Sequence, residues 1–167
     1  MTKNIFLLKV NPEHWKWGNE LNNWDDLKKN ADVSFDGNCK YHEDIKSIKL
    51  HDIFLGYNMD CKQKSIERNK AIVCIGRIIS DGCFISVGQL EENNERFLVQ
   101  KIITLEKPIE LSWMKNKRLD LGANQPTVKK LKQEDWEKIK RKIISKEPKH
   151  EKIIKKMESN SNDLWID

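Results

Sequence analysis

Ala71 to Ile79 reads AIVCIGRII. So apolar a run suits a strand covered on both faces, and the chain is expected to build around a central sheet that contains it. Gly76 inside the run marks either a bulge or a close approach by a neighbouring backbone. Further strands are expected at Ile5 to Val10 (IFLLKV), Ile53 to Tyr57 (IFLGY), Gly82 to Val87, Arg96 to Leu105 (RFLVQKIITL) and Thr127 to Leu131. Lys107-Pro108 is expected to break the long strand that precedes it, because proline has no N–H to donate to a ladder.

Helices are fewer. Leu21, Trp24 and Leu27 recur every three residues and predict an amphipathic helix ending near Asn30, with a helical turn opening at Asn11-Pro12 ahead of it. Ile45, Ile48 and Leu50 predict a short helix and the loop after it. Trp136, Ile139, Ile143 and Ile144 predict a helix over Gln133 to Ser145, ended by Pro148, and Ile153, Ile154 and Met157 predict one more short helix. Short strands with peripheral helices and no βαβ alternation argue for an α+β small barrel rather than a doubly wound sheet. The 167 residues fit one domain over 1–146, followed by a C-terminal helix and polar tail over 147–167.

Charge is unevenly placed. The formal net charge is +5, yet Lys129 to Lys156 holds 12 Lys and Arg against 5 Asp and Glu, a net of +7 for that stretch alone. A cationic segment of this kind suits a phosphate backbone, which rewards Lys and Arg by counterion release; a solvated helix face has the same composition. No apolar run approaches the roughly 20 residues that span a bilayer, so no membrane partner is expected. The N-terminus shows no signal peptide, which points to the cytoplasm. Four cysteines do not make a disulfide framework, and Cys74 reads as a small buried hydrophobe. Cys39, His42, His51 and Cys61 lack the paired spacing of a zinc site. No nucleophile elbow, phosphate-binding glycine loop or H-E-x-x-H motif occurs, which weakens the case for an enzyme and favours a binding domain, and neither a cofactor nor a metal is expected.

Four segments in order carry a resemblance to the EVE domain, a PUA-like relative of the YTH domain. They are FLLKVNPEHW, with its Asn-Pro-x-x-Trp; FDGNCKYHEDIKSIKLHDIFLGY, with Asp-Gly-Asn ahead of a strand ending in Tyr; KAIVCIGRII, with its internal glycine; and RFLVQKIITLEKPIEL followed after a loop by TVKKLKQEDWEKI. Together they cover most of residues 5 to 145. The resemblance implies a PUA-like small β-barrel with peripheral helices. It also implies a nucleic-acid-binding module that reads a modified base: methylated or hydroxymethylated cytosine, or methyladenine. A base within a duplex hides its edge, so it must be flipped out or presented in a single strand. Aromatic walls then hold it by stacking. A nuclease or restriction-system partner fits such a module.

Carried onto this chain, the resemblance makes Phe35 a wall of the base pocket, though Phe35 also suits the core of a short strand. Asp36, Gly37 and Asn38 form the loop behind it; they also make an ordinary turn. Tyr57 and Asn58 end a strand where the family places pocket-facing groups, and Tyr57 suits a half-buried core position equally. Trp15 and Trp17 are candidates for the pocket floor, whereas Trp24 belongs to the core. Asn124, Gln125 and Thr127 lie in a loop that closes over the ligand in such folds. Phosphate contacts fall to Lys115, Lys117 and Arg118 and, on the last strong helix, to Lys138, Arg141 and Lys142. A second reading is an ASCH-like hydrolase acting on RNA or a modified nucleoside, which would need a Lys–Glu–Thr constellation that the spacing does not supply. A third is a protein-interaction adaptor anchored by Trp165.

Overall fold

The computed structural model describes residues 2–11, 23–30, 32–36, 43–59, 68–85, 95–114 and 128–159. Among the described residues seven strands form one mixed sheet: β1 (Ile5–Val10), β2 (Asp32–Asp36), β3 (Ile53–Asn58), β4 (Ala71–Ile78), β5 (Phe84–Ile85), β6 (Glu95–Glu110) and β7 (Val128–Lys130). The order is β2-β6-β4-β3-β1-β7, with β5 also on β6. β1 and β3 run parallel, and the other pairs are antiparallel. Every residue of β4 is buried, as its composition demands. The fold is α+β, and the described residues include three α-helices: α1 (Glu43–Lys46), α2 (Gln133–Lys146) and α3 (Glu151–Glu158). The expected barrel closure is not what these pairings form. Among the described residues the sheet is open, with β2 and β7 at its two ends.

Alternation along the strands gives the sheet two apolar faces. Ile5, Leu7, Leu55, Tyr57, Ile72 and Ile75 pack with Trp136, Ile139 and Ile143 of α2 and Ile154 and Met157 of α3. Phe6, Leu8, Val10, Phe54 and Val73 form the other core with Trp24, Leu27, Ile45 and Ile48. Side chains buried to this degree each contribute about 1.5–3 kcal/mol. α3 is part of the first core: Trp136 Nε1 donates to Glu158 at 2.7 Å, and Lys3 Nζ donates to the Met157 carbonyl at 2.7 Å.

Gly76 is a close approach and a bulge at once. A Cβ there would collide with the Gln100 carbonyl oxygen and the Phe54 ring. The register then passes from Gly76–Lys101 to Ile75–Ile103, leaving Ile102 as an extra residue that turns β6 over between the two cores.

Pro108 does not end β6, which runs on to Glu110. Pairing with β4 lapses between Thr104 and Ile109, so the missing proline N–H falls where no ladder bond is made. The N–H groups of Glu106 and Lys107 in the same stretch donate instead to the buried carboxylate of Glu147, at 3.2 and 3.1 Å.

The stripe at Leu21, Trp24 and Leu27 also resolves differently. Its described part is a single 3-10 turn, Trp24–Asp26, after which Leu27 is extended. Asn23 accepts from the Asp25 and Asp26 N–H groups, and Asp26 accepts from the Asn23 N–H. Two side chains that compete for backbone partners favour a capped turn over a propagating helix. A spacing of three serves that turn, where i and i+3 eclipse.

Candidate nucleic-acid interface

Five strand ends meet at one rim of the sheet. Val10 of β1 lies against Asn58 of β3, Asn58 against Ala71 of β4, Ala71 against Glu110 of β6, and Leu8 against Val128 of β7. Segments 12–22, 60–67 and 115–127 each leave and rejoin the described chain at this rim. Trp15, Trp17, Lys115, Lys117, Arg118, Asn124, Gln125 and Thr127 belong to them and lie outside the described residues, as do Gly37, Asn38, Cys39, His42 and Cys61. No cluster of three or more metal-binding side chains occurs among the described residues.

Asn58, expected to face a base, holds the rim together instead. Its side chain is fully buried. The oxygen accepts the Trp24 N–H at 3.0 Å, and the amide nitrogen donates to Asp25 Oδ2 and to the Arg68 carbonyl, each at 3.2 Å. Both amide hydrogens are thereby spent inside the protein. Arg68 closes the cluster, with Nε 3.3 Å from Asp25 Oδ2 and a terminal nitrogen donating to the carbonyls of Val73 and Leu105. From β6, Lys101 Nζ donates to the carbonyls of Trp24 and Leu27 at 2.8 and 2.5 Å. Burial raises the Asp25 carboxyl above its ordinary pKa despite Arg68 and Lys101, and burial lowers the Lys101 ammonium. Asp25, Arg68 and Lys101 escaped the sequence reading because no local pattern distinguishes a charge bonded within the protein from a solvated one.

Tyr57 is 5% exposed and packs in the core beneath α2 and α3. The backbone of Phe35 and Asp36 lies on β2 opposite Phe97 and Arg96; their side chains are outside the description. Tyr57 pairs with Ile72, and Ile72 with Ile109. Phe35 and Tyr57 therefore meet β6 at positions twelve residues apart, and Phe97 and Tyr57 belong to different cores. The register does not bring the two expected ring walls to one level of the sheet.

Lys138, Arg141 and Lys142 lie on the exposed face of α2. None of the three forms an ion pair with a carboxylate among the described residues, unlike Lys140, which contacts Glu137 at 2.9 Å and Glu158 at 2.7 Å. The sequence reading missed Trp113, three residues beyond β6, which is 40% exposed with the Lys142 ammonium 5.7 Å from its ring centroid. Its signal was present in LSWMKNKR, a tryptophan set against Lys115, Lys117 and Arg118.

The EVE domain model matches residues 4–142. No match was found among curated proteins. The fold is similar to human THYN1 in complex with 5-methylcytosine-containing DNA, with a TM-score of 0.61 and 18% identity over 87% of this chain and 98% of that one. It is also similar to an Agrobacterium tumefaciens protein (TM-score 0.60, 15% identity, 84% and 92% covered) and to a Rhodopseudomonas palustris protein solved by NMR (TM-score 0.54, 21% identity, 80% and 88% covered). With the family model spanning 4–142 and this fold beneath it, the chain belongs to the EVE domain family.

Proposed function

We propose that this domain binds nucleic acid and takes one modified base, flipped from a duplex or presented in a single strand, into an aromatic pocket. The observation that carries the reading is the fold shared along 87% of the chain with THYN1, whose structure contains 5-methylcytosine DNA. Two features of this chain support it. Lys138, Arg141 and Lys142, exposed on α2 and in no ion pair among the described residues, form a face suited to phosphates. Three segments leave one braced rim, the first carrying Trp15 and Trp17 and the others amide and basic residues. In this reading Phe35, with Asp36, Gly37 and Asn38 after it, forms the pocket wall; Trp15, Trp17, Asn124, Gln125 and Thr127 contact the base or its neighbours; Lys115, Lys117 and Arg118 hold phosphates. Tyr57 acts through packing.

The test is binding to matched oligonucleotides carrying 5-methylcytosine, 5-hydroxymethylcytosine, N6-methyladenine or no modification. One modified base should bind more tightly than its unmodified match, and Phe35→Ala should remove that preference while leaving the common affinity. Equal, weak binding to every oligonucleotide rejects the reading.

A further inference from the structure

Two lysines of α2 sit over tryptophan rings at the same distance, 5.7 Å, and they differ in what else they touch. Lys140 lies over the buried Trp136, and its charge is answered by Glu137 and Glu158. Lys142 lies over the exposed Trp113, and no carboxylate among the described residues answers it. The first pair is internal structure; the second presents a flat π-face and a cation together to solvent. Lys142 is also the middle of a row, Lys138, Lys142 and Lys146, spaced four residues apart. They are exposed on one side of the helix about 6 Å from one another along its axis. None of the three forms an ion pair among the described residues, and Lys107 Nζ adds a further cation by donating to the Lys146 carbonyl at 3.5 Å. Trp113 lies just past Glu110, at the rim where five strand ends gather.

We infer that Trp113 and the Lys138–Lys142–Lys146 row form a second nucleotide site, outside the base pocket, that stacks an unpaired base on the indole while the lysines hold that strand's phosphates. The inference rests on the nucleic-acid reading above and deepens it. An exposed ring takes any base, because every base has a π-face, so this site is indifferent to modification. Cations in a row beside the ring make the occupant anionic, which favours a nucleic-acid strand over an apolar partner surface.

The experiment measures affinities of the full chain for unmodified single-stranded DNA, the matching single-stranded RNA and blunt duplex DNA at several salt concentrations. The variants are Trp113→Ala, Trp113→Phe and Lys142→Gln. Trp113→Ala should weaken single-strand binding about tenfold, with the salt slope kept and duplex binding unchanged. Trp113→Phe should restore most of the loss, and Lys142→Gln should lower the salt slope by about one. Preference for a modified base in a duplex should persist in both Trp113 variants. Comparison of DNA with RNA identifies the natural strand, since stacking serves both. Unchanged single-strand affinity in Trp113→Ala, or an equal loss on blunt duplex, overturns this inference while the base-reading function stands. Absence of all binding by the parent protein overturns both. Trp113-dependent self-association would assign the indole to a second copy of the chain and also overturn it.

Discussion

The carboxylate of Glu147 accepts the backbone N–H of Lys107 at 3.1 Å, so a residue just past α2 completes a strand forty positions earlier. The same carboxylate takes the Glu106 N–H and lies 3.1 Å from His150 Nε2. It stands in for the ladder partner that β6 lacks around Pro108. Glu147→Ala removes that acceptor from two N–H groups and should cost about 2–4 kcal/mol, read from urea unfolding. Glu147→Gln keeps an oxygen and should cost less.

Burial pushes the Glu147 carboxyl up, but the Lys107 and Glu106 N–H groups and His150 outweigh it and hold it below its ordinary value. A carboxyl whose pKa is lower in the folded state stabilises fully above its unfolded pKa, near 4.5, and loses that contribution as pH falls through the folded value. Acid titration of stability should therefore show a loss below pH 4.5 that is absent in Glu147→Gln.

Gly76 and Gly56 should respond unequally to alanine. At Gly76 the new methyl meets a main-chain oxygen, Gln100 O, as well as the Phe54 ring; at Gly56 it meets only side chains, Cys74 Sγ and the Trp24 ring. Backbone in a ladder cannot yield, so Gly76→Ala should cost about 3 kcal/mol and Gly56→Ala about 1–2. The order of denaturation midpoints checks this.

Cys74 is fully buried, and burial pushes its thiol up to about 12. Iodoacetamide at pH 8 should leave Cys74 unmodified in the native protein and label it in denaturant, whereas the half-buried Cys83 should label in both. Peptide mass spectrometry distinguishes the two sites.

Lys138→Glu with Arg141→Glu should change stability by less than about 0.5 kcal/mol, since both side chains are exposed. The pair should weaken nucleic-acid binding across sequences and lower its salt slope by about two. Loss of the modified-base preference alone, with the salt slope kept, would show that this face does not hold phosphates.

The parts of the fold legible in the sequence were those fixed by local apolar patterning. AIVCIGRII is the buried β4, and Trp136, Ile139 and Ile143 are the inner stripe of α2. What escaped depended on partners far along the chain. Pro108 reads as a breaker until Glu147 supplies an acceptor. Lys101 reads as a surface lysine until the turn at Trp24 offers it two carbonyls. Asn58 reads as a pocket amide until its three partners are seen. For the candidate site, the cations of α2 were legible because helical spacing alone exposes them. The relation of Phe35 to Tyr57 was not, because it depends on a register set by bulges in β6.

β1 has an unusual place in the order of synthesis. It is made early, yet one of its two sheet neighbours is β7, which holds it through Phe6–Lys130 and Leu8–Val128. A nascent chain must therefore carry a strand that is apolar but for Lys9, with one bare edge, until Val128 to Lys130 has left the ribosome. Polypeptides terminated before that point should recruit chaperones or clump, and ones that extend past it should close the gap.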